Sequence, residues 1–121
     1  SYQSPRETFD ANVQGTVNIL EAIRHCDSIK AGVMITTDKV YENKGWLWGY
    51  REDDALGSAD PYSTSKAMAE MAIDSYRRSF FEGDQHFKAI ASARSGNVIG
   101  GGDFSPNRLL PDIIAALKNN T

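Results

Sequence analysis

Tyr62 and Lys66 stand four residues apart behind Pro61, at the start of a stretch that reads as one amphipathic helix to Phe81. At that spacing both side chains fall on one face of the helix's first turn. The chemistry this suggests is that of a base. An ammonium beside a phenol favours the phenolate, which can then take a proton near neutral pH. Upstream, the run Thr36-Thr37-Asp38-Lys39 follows an apolar stretch, Gly32-Val33-Met34-Ile35. If that stretch is a strand, Thr37, Asp38 and Lys39 lie at its carboxyl edge, where open α/β sheets bind ligands.

The elements that must position these residues follow from periodicity. Ser4 as N-cap, Pro5 at the first helical position and Glu7 in the first turn predict a helix start. Phe9, Val13, Val17, Leu20 and Ile23 continue it at helical spacing as far as His25-Cys26-Asp27-Ser28. Gly15 inside that helix costs about 1 kcal/mol relative to Ala, which suggests a close contact on its side. Asn12 on the same helix is, from its residue type alone, a surface asparagine. Ile29 to Ile35 suits a buried parallel strand, and Phe87 to Ala93 a second. A helix joins them, so they should be parallel. The Tyr62 helix is expected to bury Ala69, Ala72, Ile73 and Tyr76, with Met68 and Met71 packing on its flanks. Gly83-Asp84 is a turn, and Pro111-Asp112-Ile113 begins a last helix that frays at Asn119-Asn120-Thr121. The order is helix-strand-helix-strand-helix, an α/β fold.

Between the first strand and the Tyr62 helix, Val40 to Ala59 is long for a loop in a compact domain. It carries Tyr41, Trp46, Trp48 and Tyr50, which disordered segments rarely do. It reads as an ordered flap, with a short hairpin around Lys44-Gly45. Its aromatic residues either cover a ligand or pin the loop to the body. Arg51-Glu52-Asp53-Asp54 reads as a solvated charged face. Gly100-Gly101-Gly102 lacks the spacing of a phosphate cradle and reads as a turn.

The totals narrow the function. The chain has 121 residues, enough for one small domain, with 40% hydrophobic and 24% charged residues. A net charge of −3 argues against a nucleic-acid groove or an anionic membrane surface. Cys26 is alone, which rules out an intrachain disulfide and a cysteine zinc cluster, so no metal site is expected. A reducing, cytoplasmic setting is the expectation. No apolar run approaches the roughly 20 residues that span a bilayer.

Five blocks, TTDKVYEN, GWLWGYRE, DPYSTSK, RSGNVIGGGD and NRLLPDI, occur in this order from Thr36 to Ile113. Together they resemble the extended short-chain dehydrogenase/reductase family of NAD-dependent epimerases and dehydratases. The resemblance runs over the whole chain and is strongest to the CDP-glucose branch of the nucleotide-sugar 4,6-dehydratases. It implies part of a Rossmann-like, doubly wound parallel sheet. It also implies that residues 1–121 are an internal segment of an NAD-binding catalytic domain, because the glycine-rich strand-turn-helix that holds a dinucleotide pyrophosphate is absent. On that ground the segment alone is expected to be inactive; the competing readings are another nucleotide-sugar dehydratase or epimerase of the same fold, or a non-catalytic nucleotide-sugar binding fragment.

The resemblance also implies roles. Tyr62 would take the C4 hydroxyl proton of the sugar, Lys66 would hold the NAD ribose, and Thr37 would bond the C4 oxygen. Asp38 would act as acid at the C6 hydroxyl and Lys39 as base at C5. Asn12 and Thr36 would support the cofactor side. Asn97 would touch the diphosphate of the nucleotide sugar, and Arg108, Leu109 and Pro111 would line its nucleotide end. From residue type alone Arg108 is equally a surface residue near a helix start. Asp38 must hold a proton and Lys39 must lose one, so burial of both is expected. Many relatives have Glu where this chain has Lys39. Lys39 and Tyr62 are 23 positions apart, a longer interval than in the dehydratases that invert C5. Related epimerases lack the Asp38-Lys39 pair. The Asn12 and Tyr62 helices would form a homodimer interface of the four-helix type.

Overall fold

The computed structural model describes residues 1–83, 87–105 and 107–119. Asp84 of the expected turn and Asn120-Thr121 of the expected frayed end lie outside them. Four α-helices and two strands follow in the order α1 (Pro5–Phe9), α2 (Gly15–His25), β1 (Ala31–Ile35), α3 (Pro61–Tyr76), β2 (Ala89–Ala93) and α4 (Leu109–Asn119). Two π-helical turns join the series. Asp10–Gln14 links α1 to α2 without a break, and Arg77–Phe81 extends α3.

The strands pair in parallel, Ala31 opposite Ala89 through Ile35 opposite Ala93. Between them runs α3, as a parallel pair requires of its crossover. One sheet face carries the core. Leu20 and Ile23 of α2, Ile73 of α3, Phe81 and Ile90 close on one another there, with Ile29, Met34 and Tyr76 packed around them. Gly32 sits close under this core, since a Cβ would lie 3.3 Å from Ile90 Cδ1 and 3.4 Å from Ile23 Cδ1, and those side chains would have to give slightly. The other face is bare: Val33 and Ile35 are 63% and 66% exposed, and Ala89, Ala91 and Ala93 are exposed beside them. The expectation of a strand buried on both sides therefore fails. An alternating strand with one covered face is what these residues build.

Local chemistry explains the element ends, with some corrections. Pro5 does open α1, but the Ser4 side chain caps nothing. Its carbonyl instead accepts both the backbone N–H and the hydroxyl of Thr8, at 3.1 and 3.0 Å. Around Gly15 the space is open and its backbone is ordinary right-handed helix, so no close neighbour accounts for the glycine. At the other end of α2, the buried Lys88 ammonium donates to the carbonyls of Ile23 and Cys26. A cation there satisfies acceptors that the helix leaves orphaned. α3 starts with Asp60 accepting from Ser63 N–H at 3.1 Å and Pro61 at the first position. Such a cap contributes about 1 kcal/mol.

The strands begin two residues later than periodicity suggests, leaving Phe87 outside and 65% exposed. Met68 and Met71 are exposed at 43% and 65%, and Ala72 and Tyr76 are half-buried, because α3 turns Ser63, Ser65 and Glu70 inward instead. α4 starts at Leu109, two residues before Pro111, which the first turn tolerates. None of its residues is buried. Among the described residues no helix is long and apolar enough to cross a membrane.

Candidate active site

The two chemistry-bearing stretches meet where α3 packs against the turn that follows β1. Thr36 and Thr37 continue the strand and are buried, and Asp38–Val40 then forms a 3-10 turn. Thr36 N–H bonds Ala93 O and Asp38 N–H bonds Ser95 O, both at 2.9 Å. The carboxyl ends of both strands are thereby tied together. Thr37 caps the turn: its hydroxyl accepts from Lys39 N–H at 3.4 Å and donates to Asp38 Oδ1 at 3.2 Å. Asp38 and Lys39 are themselves exposed, against the expectation of burial. The 3-10 turn carries them outward from the edge while Val40, behind them, is fully buried.

On α3 the short polar side chains are committed to the backbone or to a neighbouring helix. Thr64 Oγ1 donates to Ser58 O at 2.9 Å, and the fully buried Ser65 donates to Tyr62 O at 2.7 Å. Asn12 Nδ2 donates to Ser65 Oγ at 2.9 Å, which locks the π-turn of the first helix to the base of Tyr62. Thr16 Oγ1 donates to Asn12 O at 2.7 Å, taking up a carbonyl in the π-turn. π-turns recur at functional sites, and this one aims a side chain at another helix. The Tyr62 hydroxyl and the Lys66 ammonium take part in none of these bonds. Tyr62 is 36% exposed and opens on a cleft of about 460 Å3 that Asn12 also lines.

Asp38 and Lys39 open on a different and larger cleft, of about 940 Å3. Its opposite wall is the flap. Tyr41 and Leu56 close the flap with one antiparallel bridge where a hairpin around Lys44-Gly45 was expected, and Gly45 takes the left-handed φ of 64°. Tyr41 stacks on Tyr50 with centroids 4.9 Å apart, and Trp46 stacks on Trp48 at 5.2 Å. Tyr41 and Tyr50 line the cleft; neither tryptophan does. The structure thus brings Asp38 and Lys39 together in one cleft and Tyr62 and Asn12 in another, with Thr37 buried at the packed seam between the elements. Asn97, Arg108 and Leu109 are exposed, Pro111 is half-buried, and none of the four lines either cleft.

What the sequence reading missed lies beneath the clefts. Glu70 is 4% exposed. Its carboxylate accepts from the Thr36 hydroxyl, from Ser92 Oγ at 2.8 Å, and from Arg94 Nε and Nη2 at 3.0 and 3.1 Å. Thr36, expected on the cofactor side, has its hydroxyl committed to Glu70 because a buried carboxylate needs donors. Burial pushes the Glu70 carboxyl up, but Arg94, then Thr36 and Ser92, outweigh it and hold it below the usual range. The signal was available: a charged residue among Ala67, Ala69 and Ile73 on a buried face, and an arginine one residue past a strand.

A profile of the NAD dependent epimerase/dehydratase family matches residues 1–121. CDP-glucose 4,6-dehydratase of Salmonella typhimurium is 50% identical over 99% of this chain, which covers 34% of that relative. The trifunctional UDP-glucose 4,6-dehydratase/UDP-4-keto-6-deoxy-D-glucose 3,5-epimerase/UDP-4-keto-L-rhamnose-reductase RHM1 of Arabidopsis thaliana is 33% identical over 94% of the chain and is covered over 16% of its own length. Among solved structures, dTDP-glucose 4,6-dehydratase from Bacillus anthracis in complex with NAD superposes with a TM-score of 0.78 at 30% identity, over 93% of this chain and 34% of that one. The chain therefore spans about a third of the length of the first of these relatives and of that solved structure.

Proposed function

The chain belongs to the NAD dependent epimerase/dehydratase family, and from that premise we propose that the protein carrying it is a nucleotide-sugar 4,6-dehydratase of the CDP-glucose type. The 50% identity to a CDP-glucose 4,6-dehydratase supports the substrate. The observation that carries the chemistry is the seam where the Thr37-Asp38-Lys39 turn packs against the helix of Tyr62 and Lys66.

NAD fits the chain's residues at its nicotinamide end. Tyr62 and Lys66 share the first turns of α3, with the Tyr62 ring partly exposed on a cleft that Asn12 helps to line. When bound, NAD supplies the acceptor for a hydride from C4 of the sugar and later its donor to C6. Tyr62 takes the proton of the C4 hydroxyl, and Lys66 holds the ribose. Thr37 hydrogen-bonds the C4 oxygen. A C4 ketone makes the C5 proton acidic. Lys39 removes it and Asp38 protonates the leaving C6 hydroxyl; both are exposed in this chain, so these roles require the bound cofactor and sugar to cover them. Return of a proton to C5 from Lys39, together with the hydride at C6, gives a 4-keto-6-deoxy sugar. Asn97, Arg108, Leu109 and Pro111 belong to the nucleotide end in this reading, an arginine fork suiting a phosphate. The setting is cytoplasmic and the active form a homodimer through the Asn12 and Tyr62 helices.

The test is incubation of the protein carrying this chain with NAD and CDP-glucose in D2O. The expected product absorbs in base as a 4-keto-6-deoxy sugar and carries deuterium at C5. Lys39→Ala should slow its formation by about 100-fold or more, the scale of losing a general base. Turnover of UDP- or dTDP-glucose in place of CDP-glucose would keep the chemistry and replace the nucleotide. Absence of product from every nucleotide sugar would sink the proposal.

A further inference from the structure

Arg94 has more partners than a structural ion pair requires. Two of its N–H groups go to Glu70, as described, and the pair is nearly closed to solvent, with side-chain exposures of 17% and 4%. A third, Nη1, leaves the pair and donates to the carbonyl of Glu52 at 2.9 Å. The guanidinium plane meanwhile lies over the Tyr41 ring, 4.9 Å from its centroid. Glu52 and Tyr41 belong to opposite limbs of the flap. Tyr41 stacks in turn on Tyr50, whose hydroxyl accepts from Lys44 N–H at 2.8 Å. The Arg51-to-Asp54 stretch therefore contributes a backbone acceptor as well as charge. Apart from that contact the flap closes mainly on itself, through Glu42 N–H to Ala55 O and Gly57 N–H to Val40 O, each at 2.9 Å.

We propose that Arg94 is a positioning residue: it fastens the aromatic flap, Tyr41 to Leu56, to the end of β2 and so sets the width of the cleft that Asp38 and Lys39 share with Tyr41 and Tyr50. The reading of that cleft as a place for the nucleotide sugar rests on the dehydratase proposal above. Arginine is required because one side chain must keep a fork on Glu70, reach a carbonyl and stack on a ring at once. Lysine retains the charge and can do only the first in part.

Two variants and two readouts test this in the protein carrying the chain. Arg94→Lys keeps a cation beside Glu70, and Tyr41→Leu removes the ring under the guanidinium while leaving the ion pair whole. The flap holds two tryptic sites, after Lys44 and after Arg51. In both variants we expect cleavage there to quicken about tenfold, the scale of one lost charged hydrogen bond or cation–π contact opening a local segment. KM for CDP-glucose should rise about as much, with kcat within about threefold of the native value. Cleavage within twofold of native in Arg94→Lys would overturn the proposal, because the flap would then be held by its own stacking. Faster cleavage with KM unchanged would overturn the link between flap and cleft. A native protein that turns over no nucleotide sugar would remove the dehydratase reading, and the protease result would still decide whether Arg94 holds the flap.

Discussion

Replacing Tyr62 by Phe should lower kcat of the protein carrying this chain by about 100- to 10,000-fold, the range for loss of a positioned general base. The change removes one oxygen. What Tyr62 does for the fold goes through its backbone: its carbonyl takes the Ser65 hydroxyl, which in turn is held by Asn12. Phe keeps that carbonyl and the ring. Thermal stability should therefore stay within about 1 kcal/mol of native, and KM should change little, since the lost contact acts on the proton in flight. Stopped-time assays with CDP-glucose, beside a melting curve, separate the outcomes. A kcat within threefold of native would take Tyr62 out of the mechanism. A collapse in stability would show a folding role that the hydrogen bonds do not predict.

Arg94→Met should destabilise the chain by about 3–5 kcal/mol, because it leaves a carboxylate buried without its counter-charge. A whole small domain is stable by only about 5–15 kcal/mol. The double change Glu70→Leu with Arg94→Met should recover most of the loss, since a buried ion pair exchanged for apolar groups of similar size is often neutral. The pH dependence distinguishes this from simple cavity formation. In the native protein the Glu70 carboxyl is held below its usual value, with burial opposed by Arg94, Thr36 and Ser92. Its contribution is thus complete above the unfolded value, about 4.3, and fades as pH falls through the folded one. Without Arg94 the burial effect dominates and the sign reverses. The variant should gain stability toward acid and lose it as pH rises through the raised folded value. Urea unfolding between about pH 2 and 8 measures both slopes, the native one below about 4.3 and the variant's above it, and parallel slopes would contradict the account.

Much of the fold was legible because local rules and tertiary packing agree here. Pro5 and Pro61 mark true helix starts, the helix-strand-helix-strand-helix order holds, and the strands are parallel. The Tyr62–Lys66 spacing and the Thr37-Asp38-Lys39 edge could be placed for the same reason, since each depends on one element only. Burial was harder. A sequence does not say which face of a strand is covered, so Val33 and Ile35 looked like core. Glu70 could be noticed as a charge on a buried face, but its partners could not be named, because they sit 34, 22 and 24 residues away, at Thr36, Ser92 and Arg94. The exposure of Asp38 and Lys39 likewise depends on a 3-10 turn that no periodicity announces.

The π-turn at Asp10–Gln14 also bears on how such a chain can change over generations. Its backbone bonds reach one residue further than those of an α-helix, as in Gly15 N–H to Asp10 O. Substitutions alter a side chain and leave this backbone path as it is. Loss of a single codon within the turn would act differently, because each residue of a helix turns the chain by about 100°. The wide turn can take up that step by closing to an ordinary α-turn, so Leu20 and Ile23 keep facing the core while the side chains inside the turn, Asn12 among them, are re-aimed away from Ser65. This stretch can therefore lose one residue and keep the fold, but only with Asn12 in place does it keep its bond to the Tyr62 helix.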